Sequence, residues 1–346
     1  MIKWQSDQVG SIYNYLSIGC TICCQGASLV LFVTGICERV CPYCPLSEER
    51  KGRDVVYADE QPVQSMEEIL AEAKAIGALG TGITGGEPLL KLDYVLQCIH
   101  SLKGEFGPQH HIHLYTGLYP SREVLQQLRA SGLDEIRFHP PLSQWSRPKE
   151  LARVLQDAKM VGLLAGVEIP ALAPAPQIME IVREADAFLN INELEFSETN
   201  FADLTGLGFL PQDMGCAAEG SEEMAKKNFL VDGLKVHYCP SRFKDAVQLR
   251  ERLKRRAGNV ARPFDFVTED GTIIHGIISG NLTGALELLK DLEVPDEMHA
   301  LEKEQIDIAA SILEDISKEL KSIDCIISVI ERYPLNDGLV VERIAL

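Results

Sequence analysis

The stretch VTGICERVCPYCP, residues 33–45, decides the fold of this chain. It places Cys37, Cys41 and Cys44 in a C-x3-C-x2-C spacing, directly after an apolar, β-rich stretch at 28–34. Three thiolates from one short loop can hold one face of an iron–sulfur cube. The fourth iron then has no protein ligand, and an open position of this kind is typical of catalytic metal sites. The alternative reading is a zinc knuckle with a borrowed fourth ligand, or a structural cysteine loop.

Apolar, β-rich stretches alternate with helical patterns around this loop. The predicted strands are 28–34, 81–84, 111–116, 135–139, 166–169 and 191–196. The predicted helices begin near 65, 92, 121, 148 and 176. This alternation predicts an α/β fold with a parallel sheet and crossover helices, of the partial (β/α)6 barrel type. Such a barrel carries its chemistry at the carboxyl ends of the strands.

The pattern changes after residue 196, and 197–230 is interpreted as a long loop with one short helix. The rest is predicted to be a smaller α+β unit. Its predicted elements are a strand at 234–239, a basic helix at 241–257, a hairpin at 264–278 around Asp270-Gly271, a helix at 298–320 and two strands around Asn336-Asp337-Gly338. The predicted domains are an N-terminal extension (1–27), the barrel (28–230) and a C-terminal unit (231–346).

Composition narrows the class of protein. The chain has 346 residues, is 46% hydrophobic and carries a net charge of −18, which suits a globular protein and excludes a generally basic nucleic-acid coat. No apolar run approaches the roughly 18 residues that a membrane span needs. The first residues also lack the basic flank and apolar core of a signal peptide. We therefore expect no membrane association and a cytoplasmic location.

A second motif, TGGEP at 84–88, follows the second predicted strand. In a parallel sheet it would lie beside the cysteine loop. The two motifs, with Tyr43 just before the last cysteine of the loop, resemble the radical S-adenosylmethionine (SAM) superfamily. Within it, the chain resembles the pyruvate formate-lyase activating enzymes. The string GCTICCQGA at 19–27, together with CPYCPLS at 41–47, is similar to an uncharacterised archaeal group related to those activases.

The resemblance implies a [4Fe–4S] cluster on the cysteine triplet, whose open iron binds the amino and carboxylate groups of SAM. Reductive cleavage of SAM would give methionine and a 5′-deoxyadenosyl radical that abstracts hydrogen from a substrate. By strand position, Gly85, Gly86 and Glu87 would receive the methionine amino group. Further residues expected near SAM or the substrate are Tyr43, Thr116, Arg137, His139, Glu168 and Glu195.

A separate C-x2-C pair lies upstream, at Cys20 and Cys23. Together with Cys239 it could hold an auxiliary iron–sulfur cluster or a zinc ion, with His237, Cys24 or Cys216 as the remaining ligand. The alternative is that these are buried or surface thiols without a metal. Two more cysteines, Cys98 and Cys325, lie in apolar patterns and are predicted to be core residues.

The segment 242–262 is locally basic, with a charge of about +6. Arg252, Lys254, Arg255 and Arg256 could form a joint face there. A solvated helix face explains such a run, and the alternative is an anion site for phosphate or RNA.

Together these features predict a radical SAM enzyme that acts on a macromolecule, either tRNA or a protein, with the basic helix slightly favouring RNA. A glycyl-radical-enzyme activase is the first alternative. The second is a non-catalytic iron–sulfur or zinc protein. The expected electron donor is a ferredoxin or flavodoxin.

Overall fold

Two units make up the chain in a computed structural model, which describes residues 3–335 and 338–346. The first unit runs to Leu249, apart from Ala75–Gly77, and the second comprises Ala75–Gly77 and Arg250–Leu346. Each unit has its own sheet.

The first unit contains eleven described strands in one sheet. They are β1 Gln5–Ser6, β2 Ile12–Tyr13, β3 Ser28–Phe32, β4 Tyr57–Ala58, β5 Gln61–Pro62, β6 Gly80–Thr84, β7 His111–Thr116, β8 Glu135–Phe138, β9 Leu164–Pro170, β10 Phe188–Asn192 and β11 Lys235–Cys239. Their order is β1-β2-β11-β10-β9-β8-β7-β6-β3-β4-β5. The run from β11 to β3 is parallel, while the short strands at both edges are antiparallel.

The helices of this unit connect the parallel strands. They are α1 Ile18–Cys23, α2 Met66–Ala75, α3 Leu92–Phe106, α4 Arg122–Ser131, α5 Lys149–Met160, α6 Pro176–Glu184, α7 Phe201–Gly206 and α8 Ser221–Asn228. A π-helix follows at Lys244–Leu249. The predicted α/β class and all the predicted strands are confirmed, with strand ends shifted by a few residues.

The two faces of the parallel sheet differ in polarity because successive strand side chains point in opposite directions. One face is apolar, as with Ile112 and Leu114 of β7, and helices such as α5 and α6 pack on the strands. The alternate positions are polar and line a shared cavity. They include His113, Tyr115, Arg137, Glu168, Asn190, Asn192, His237 and Cys239. This polar inner face is where chemistry can be placed.

Helix α1 lies against the polar inner face, in contact with β3, β6 and β7. Two glycines make room for it. A Cβ on Gly19 would lie 2.7 Å from Arg137 Nη2, and a Cβ on Gly82 would lie 2.6 Å from His113 Nε2. Segment 1–27 is therefore part of the first unit, and its separation as an N-terminal extension was wrong.

The second unit is built on an antiparallel sheet in the order β14-β15-β13-β16-β17, with β12 paired to β13. Its strands are β12 Phe266–Val267, β13 Ile273–Gly280, β14 His299–Leu301, β15 Ile306–Ile308, β16 Cys325–Arg332 and β17 Val340–Ala345. Its helices are α9 Arg250–Val260, α10 Leu282–Asp291, α11 Ala310–Asp315 and α12 Ser317–Ser322. The predicted hairpin around Asp270-Gly271 is confirmed by the pairing of β12 with β13.

Three sequence predictions for the second half differ from the structure. Strand β11 pairs in parallel with β10, so the boundary lies at Leu249 rather than at 230. The predicted helix at 298–320 is instead two strands and two short helices. Segment 197–230 holds two short helices rather than one. The predicted turn at Asn336-Asp337 lies outside the described residues.

Candidate active site

The cysteine loop and the Gly-Gly-Glu turn lie side by side at the carboxyl edge of the sheet. Strands β3 and β6 are parallel neighbours with Phe32 opposite Thr84, so the segments that follow them emerge together. Between them is a cavity of about 400 Å³. Its lining includes Cys37, Cys41, Tyr43, Cys44, Gly85, Gly86, Thr116 and His139. We call it the triplet cavity.

The two glycines of the turn permit a close backbone approach to the cysteine loop. A Cβ on Gly85 would lie 2.5 Å from the carbonyl oxygen of Thr34, and one on Gly86 would lie 2.5 Å from that of Ile36. Backbone hydrogen bonds join the same segments, from Gly86 N to Thr34 O (2.7 Å) and from Glu87 N to Ile36 O (2.9 Å). Any side chain here would push the turn away from the thiols.

The Glu87 carboxylate is buried and ties this turn to the end of β7. It accepts hydrogen bonds from the Thr116 hydroxyl (2.7 Å), the Gly117 amide (2.8 Å) and the Leu89 amide (3.1 Å). It also pairs with Arg39 Nη2 at 3.1 Å. Both carboxylate oxygens of Glu87 therefore accept hydrogen bonds from the protein itself, and the Thr116 hydroxyl donates one of them.

We expect Glu87→Gln to weaken SAM binding by roughly tenfold while the iron content stays unchanged. The new amide NH₂ would face donors, and one unsatisfied buried contact costs about 1–3 kcal/mol. Isothermal titration of SAM into the anaerobic, cluster-loaded protein measures this effect. Glu49→Gln, at an exposed position of the cysteine loop, serves as the control. Equal SAM affinity in the two variants would contradict the role of Glu87.

Tyr43 and His139 form one wall of the triplet cavity. Their rings are 5.6 Å apart between centroids, and His139 Nε2 lies 3.2 Å from the Tyr43 hydroxyl. Burial lowers the pKa of His139, so its imidazole is neutral near pH 7. This pair can orient a polar group through hydrogen bonds, without adding a positive charge.

Arg39, which the sequence reasoning did not single out, lies in the triplet cavity between the first two cysteines of the loop. It donates to the His139 carbonyl oxygen (3.1 Å) and to Glu87, and it occupies the space above Gly117, where a Cβ would overlap it. Its buried Nε has no hydrogen-bond partner among the described residues. The signal available in the sequence was the lone basic residue between Cys37 and Cys41.

The donor set of the triplet cavity fits the cofactors that the motifs imply. Three thiols on one loop face a space large enough for a group of many atoms. The unpaired Arg39 Nε offers a cationic donor for a carboxylate, which is a group that SAM carries. Cys37, Cys41 and Cys44 would hold the cluster, and the glycine turn and Arg39 would orient SAM beside it.

Arg137 is buried below this cavity, in a network of hydrogen bonds. Its guanidinium contacts Glu135 (2.6 Å), the Tyr115 hydroxyl (2.7 Å), Glu168 (3.1 Å) and Ser17 (3.0 Å). Burial would raise the pKa of Glu135, but Arg137 and then His111 lower it well below its usual range. Arg137 lines the inner-face cavity rather than the triplet cavity, because these contacts hold it at the polar inner face, and its expected role near SAM or the substrate stays a prediction.

Glu168 and Glu195, the two acids expected near SAM or the substrate, do not line the triplet cavity. Glu168 accepts from Asn190 (3.0 Å), Asn192 (2.9 Å) and Arg137, and it lines the inner-face cavity. Glu195 lines neither cavity and forms an ion pair of 2.6 Å with Lys244. Their contacts with neighbouring side chains decide their placement.

The inner-face cavity measures about 350 Å³ and collects the other clustered thiols. Cys20, Cys23 and Cys24 reach it from α1 and its carboxyl end, and Cys239 reaches it from the end of β11. Cys216 is exposed and lines neither cavity, so it is not placed to complete this set. Cys98 and Cys325 are buried, as predicted.

The predicted basic face does not form. Arg252 and Arg256 are buried, and Arg256 Nε donates to the carbonyl oxygen of Pro334. Arg255 is half-buried, and its Nε donates to the carbonyl oxygen of Ile76 at 3.0 Å. Lys254 pairs with Glu251 at 3.1 Å. The prediction of a joint arginine face for RNA is wrong, because Arg252 is buried and backbone carbonyls engage Arg255 and Arg256.

Two features are absent from the described part of the chain. No three His, Cys, Asp or Glu side chains of residues 3–335 and 338–346 are placed to hold one metal ion. No helix in the same ranges combines the length and apolarity that crossing a bilayer requires.

Known protein families match separate segments of the chain, one in each unit. Residues 31–141 match the model of the Radical SAM superfamily, and residues 271–346 match a domain of unknown function (DUF8061). A Methanocaldococcus jannaschii protein named "Putative glycyl-radical enzyme activating enzyme" is 41% identical over 358 aligned positions, which are 96% of this chain and 94% of that protein.

Two solved structures align with parts of this chain. Methylornithine synthase (PylB) is 15% identical with a TM-score of 0.39, over 49% of this chain and 54% of its own. Streptococcus suis SuiB is 14% identical with a TM-score of 0.41, over 62% of this chain and 49% of its own. This chain spans about half the length of each.

The matched residues 31–141 contain both the cysteine loop and the Gly-Gly-Glu turn, and the similar archaeal protein covers nearly the whole chain. The chain therefore belongs to the radical SAM superfamily, a family of enzymes that bind a [4Fe–4S] cluster and SAM.

Proposed function

We propose that this enzyme acts on a protein, as an activase that removes a hydrogen atom from a glycine of a partner protein. The name of the archaeal relative supports the reaction class, since it is described as a glycyl-radical enzyme activating enzyme. The structural observation that carries the proposal is an apolar rim beside the triplet cavity.

This apolar rim consists of exposed side chains on two segments that are bonded together. Val40 of the cysteine loop is 92% exposed, and Phe201, which contacts Phe196 in the cluster around Tyr43, is 50% exposed. The Thr199 hydroxyl donates to the Leu46 carbonyl oxygen at 2.6 Å, which joins the segment after β10 to the cysteine loop. Exposed apolar side chains around a site are typical of protein contacts.

The charge distribution favours the same class of substrate. The net charge is −18, and the arginines that would have favoured RNA are engaged with backbone carbonyls. A phosphate backbone needs accessible cations, whereas an apolar rim suits a polypeptide.

The side chains that line the triplet cavity have separate roles in the proposed reaction. Cys37, Cys41 and Cys44 hold the cluster, and the glycine turn and Arg39 orient SAM. When bound, these cofactors supply one electron and a 5′-deoxyadenosyl group that takes up the substrate hydrogen. Tyr43 and His139 close one wall and limit the entry of water. A small reduced protein such as ferredoxin or flavodoxin delivers the electron.

The test supplies the reduced, SAM-loaded enzyme with either the protein fraction or the tRNA of its source cells. We expect the protein fraction alone to raise 5′-deoxyadenosine above the uncoupled level. It should also produce a protein EPR signal split into a doublet by the one remaining glycine α-hydrogen. Stimulation by tRNA without stimulation by protein would contradict the proposal.

The variant Phe201→Glu probes the rim. It should lower protein-stimulated cleavage by about tenfold, because a charge in an apolar contact costs at least ~1.4 kcal/mol. Uncoupled SAM cleavage should not change. Leu292→Glu, at a leucine that is 46% exposed in the second unit, is the control.

A further inference from the structure

The inner-face cavity brings thiols from distant parts of the sequence together. Cys20 and Cys23 are three residues apart on α1, so their side chains share one face of that helix. Cys239 and His237 are two residues apart on β11 and share its inner face. The helix packs against this inner face, and all four side chains line the cavity of about 350 Å³.

His237 is the second sign of an unfilled site. It is only 4% exposed, and neither ring nitrogen has a hydrogen-bond partner among the described residues. Buried polar groups in native proteins are nearly always paired. An imidazole left unpaired in the wall of a cavity points to a ligand in that cavity.

Two hydrogen-bond donors approach the sulfur of Cys20. Arg137 Nη2 lies 3.4 Å from Cys20 Sγ, and Asn190 Nδ2 lies 3.5 Å from it. Hydrogen bonds to ligand sulfurs are a recurrent feature of iron–sulfur sites, where they tune the cluster.

The size of the cavity separates a cluster from a single ion. A zinc ion holds each sulfur at about 2.3 Å, so its ligands close around it and leave no open space. A cubane binds each cysteine through a different iron and occupies the space between them. Thiols that line an open cavity of about 350 Å³ therefore fit a cluster better than zinc.

We propose that Cys20, Cys23 and Cys239 hold a second iron–sulfur cluster in the inner-face cavity, with His237 or Cys24 beside the remaining iron. This cavity adjoins the triplet cavity, since Thr84 and Tyr115 line both. The second cluster therefore lies next to the site where SAM binds. Its existence does not depend on the class of substrate.

Iron counting in anaerobically reconstituted full-length protein tests the site. The parent should contain about eight irons per chain. The variant in which Cys37, Cys41 and Cys44 are all changed to Ala should contain about four. The variant in which Cys20, Cys23 and Cys239 are all changed to Ala should also contain about four irons. SAM cleavage by this variant shows that it is folded. The variant with all six of these cysteines changed to Ala should contain no iron. Cys216→Ala, which removes an exposed thiol outside both cavities, should have the same iron content as the parent.

Spectroscopy of the variant that lacks the triplet adds an independent readout. After reduction it should keep the EPR signal of a cluster, and that signal should not respond to SAM. A variant that holds one zinc and no iron, or no metal at all, would overturn the second cluster. An iron count in the Cys20, Cys23 and Cys239 variant equal to that of the parent would overturn it too, and would leave the radical SAM assignment intact.

Discussion

Alanine at Cys37, Cys41 and Cys44 is expected to remove about four irons per chain, together with every spectroscopic response to SAM. These thiols line one cavity and come from one loop, so no other described thiol can replace them there. SAM would bind at the cluster that these three thiols would hold, so loss of the thiols should abolish its binding there. Iron analysis and EPR with and without SAM measure the loss.

Cys216→Ala is the matched control, because its thiol is exposed and lines neither cavity. It should keep the parent's iron content and its response to SAM. A triplet variant whose EPR signal still changes when SAM is added would place the catalytic cluster elsewhere.

Arg137→Met is expected to cause the largest loss of stability, about 3–5 kcal/mol, because it leaves buried carboxylates without a partner. Glu135 has no exposed surface, and Glu168 loses its ion pair of 3.1 Å. For a unit of this size the loss corresponds to a fall in Tm of roughly 10 °C. Differential scanning calorimetry under anaerobic conditions measures it.

The loss should also depend on pH in a defined direction. In the parent, Arg137 keeps the pKa of Glu135 low, so this carboxylate stabilises the fold at neutral pH and down to strongly acidic pH. In the variant, burial acts without that charge and the folded-state pKa rises above the unfolded value. The variant therefore regains stability as the pH falls below neutral, and the Tm gap between the parent and the variant should narrow in that direction.

Arg153→Met is the control for this experiment. Its side chain is 50% exposed and pairs with Asp157 at 2.8 Å, and exposed pairs contribute at most about 1 kcal/mol. A fall in Tm no larger for Arg137→Met than for Arg153→Met would contradict the buried network.

The parts of the fold that the sequence predicts are those with strong local patterns. The cysteine triplet and TGGEP have fixed spacings, and the strand at 111–116 alternates apolar and polar residues in HIHLYT. The remaining elements depend on which strands pair with each other in the folded chain. KVHYC at 235–239 is too short to show which sheet it joins, and it became a parallel neighbour of β10. Segment 298–320 has apolar residues that fit either a helix or short strands, and sheet pairing with β13 selected strands at its start.

Side-chain roles were harder to predict than elements. A count of charges in 242–262 does not show that Arg255 and Arg256 bond to backbone carbonyls. Strand position placed Arg137 near SAM, but the α1 segment, with Ser17 and Cys20 in contact with its guanidinium, encloses it. Arg39 was marked only as the lone basic residue between Cys37 and Cys41, and its role follows from the fold of the loop.

The most direct test of the radical SAM assignment is a single-turnover measurement of 5′-deoxyadenosine. The cluster-loaded protein is reduced with dithionite under anaerobic conditions, mixed with SAM and quenched over time, and the products are separated by chromatography. The assignment predicts 5′-deoxyadenosine and methionine in equal amounts from the parent and neither from the triplet variant. Intact SAM in the reduced, cluster-loaded parent, or equal cleavage in the triplet variant, would contradict it.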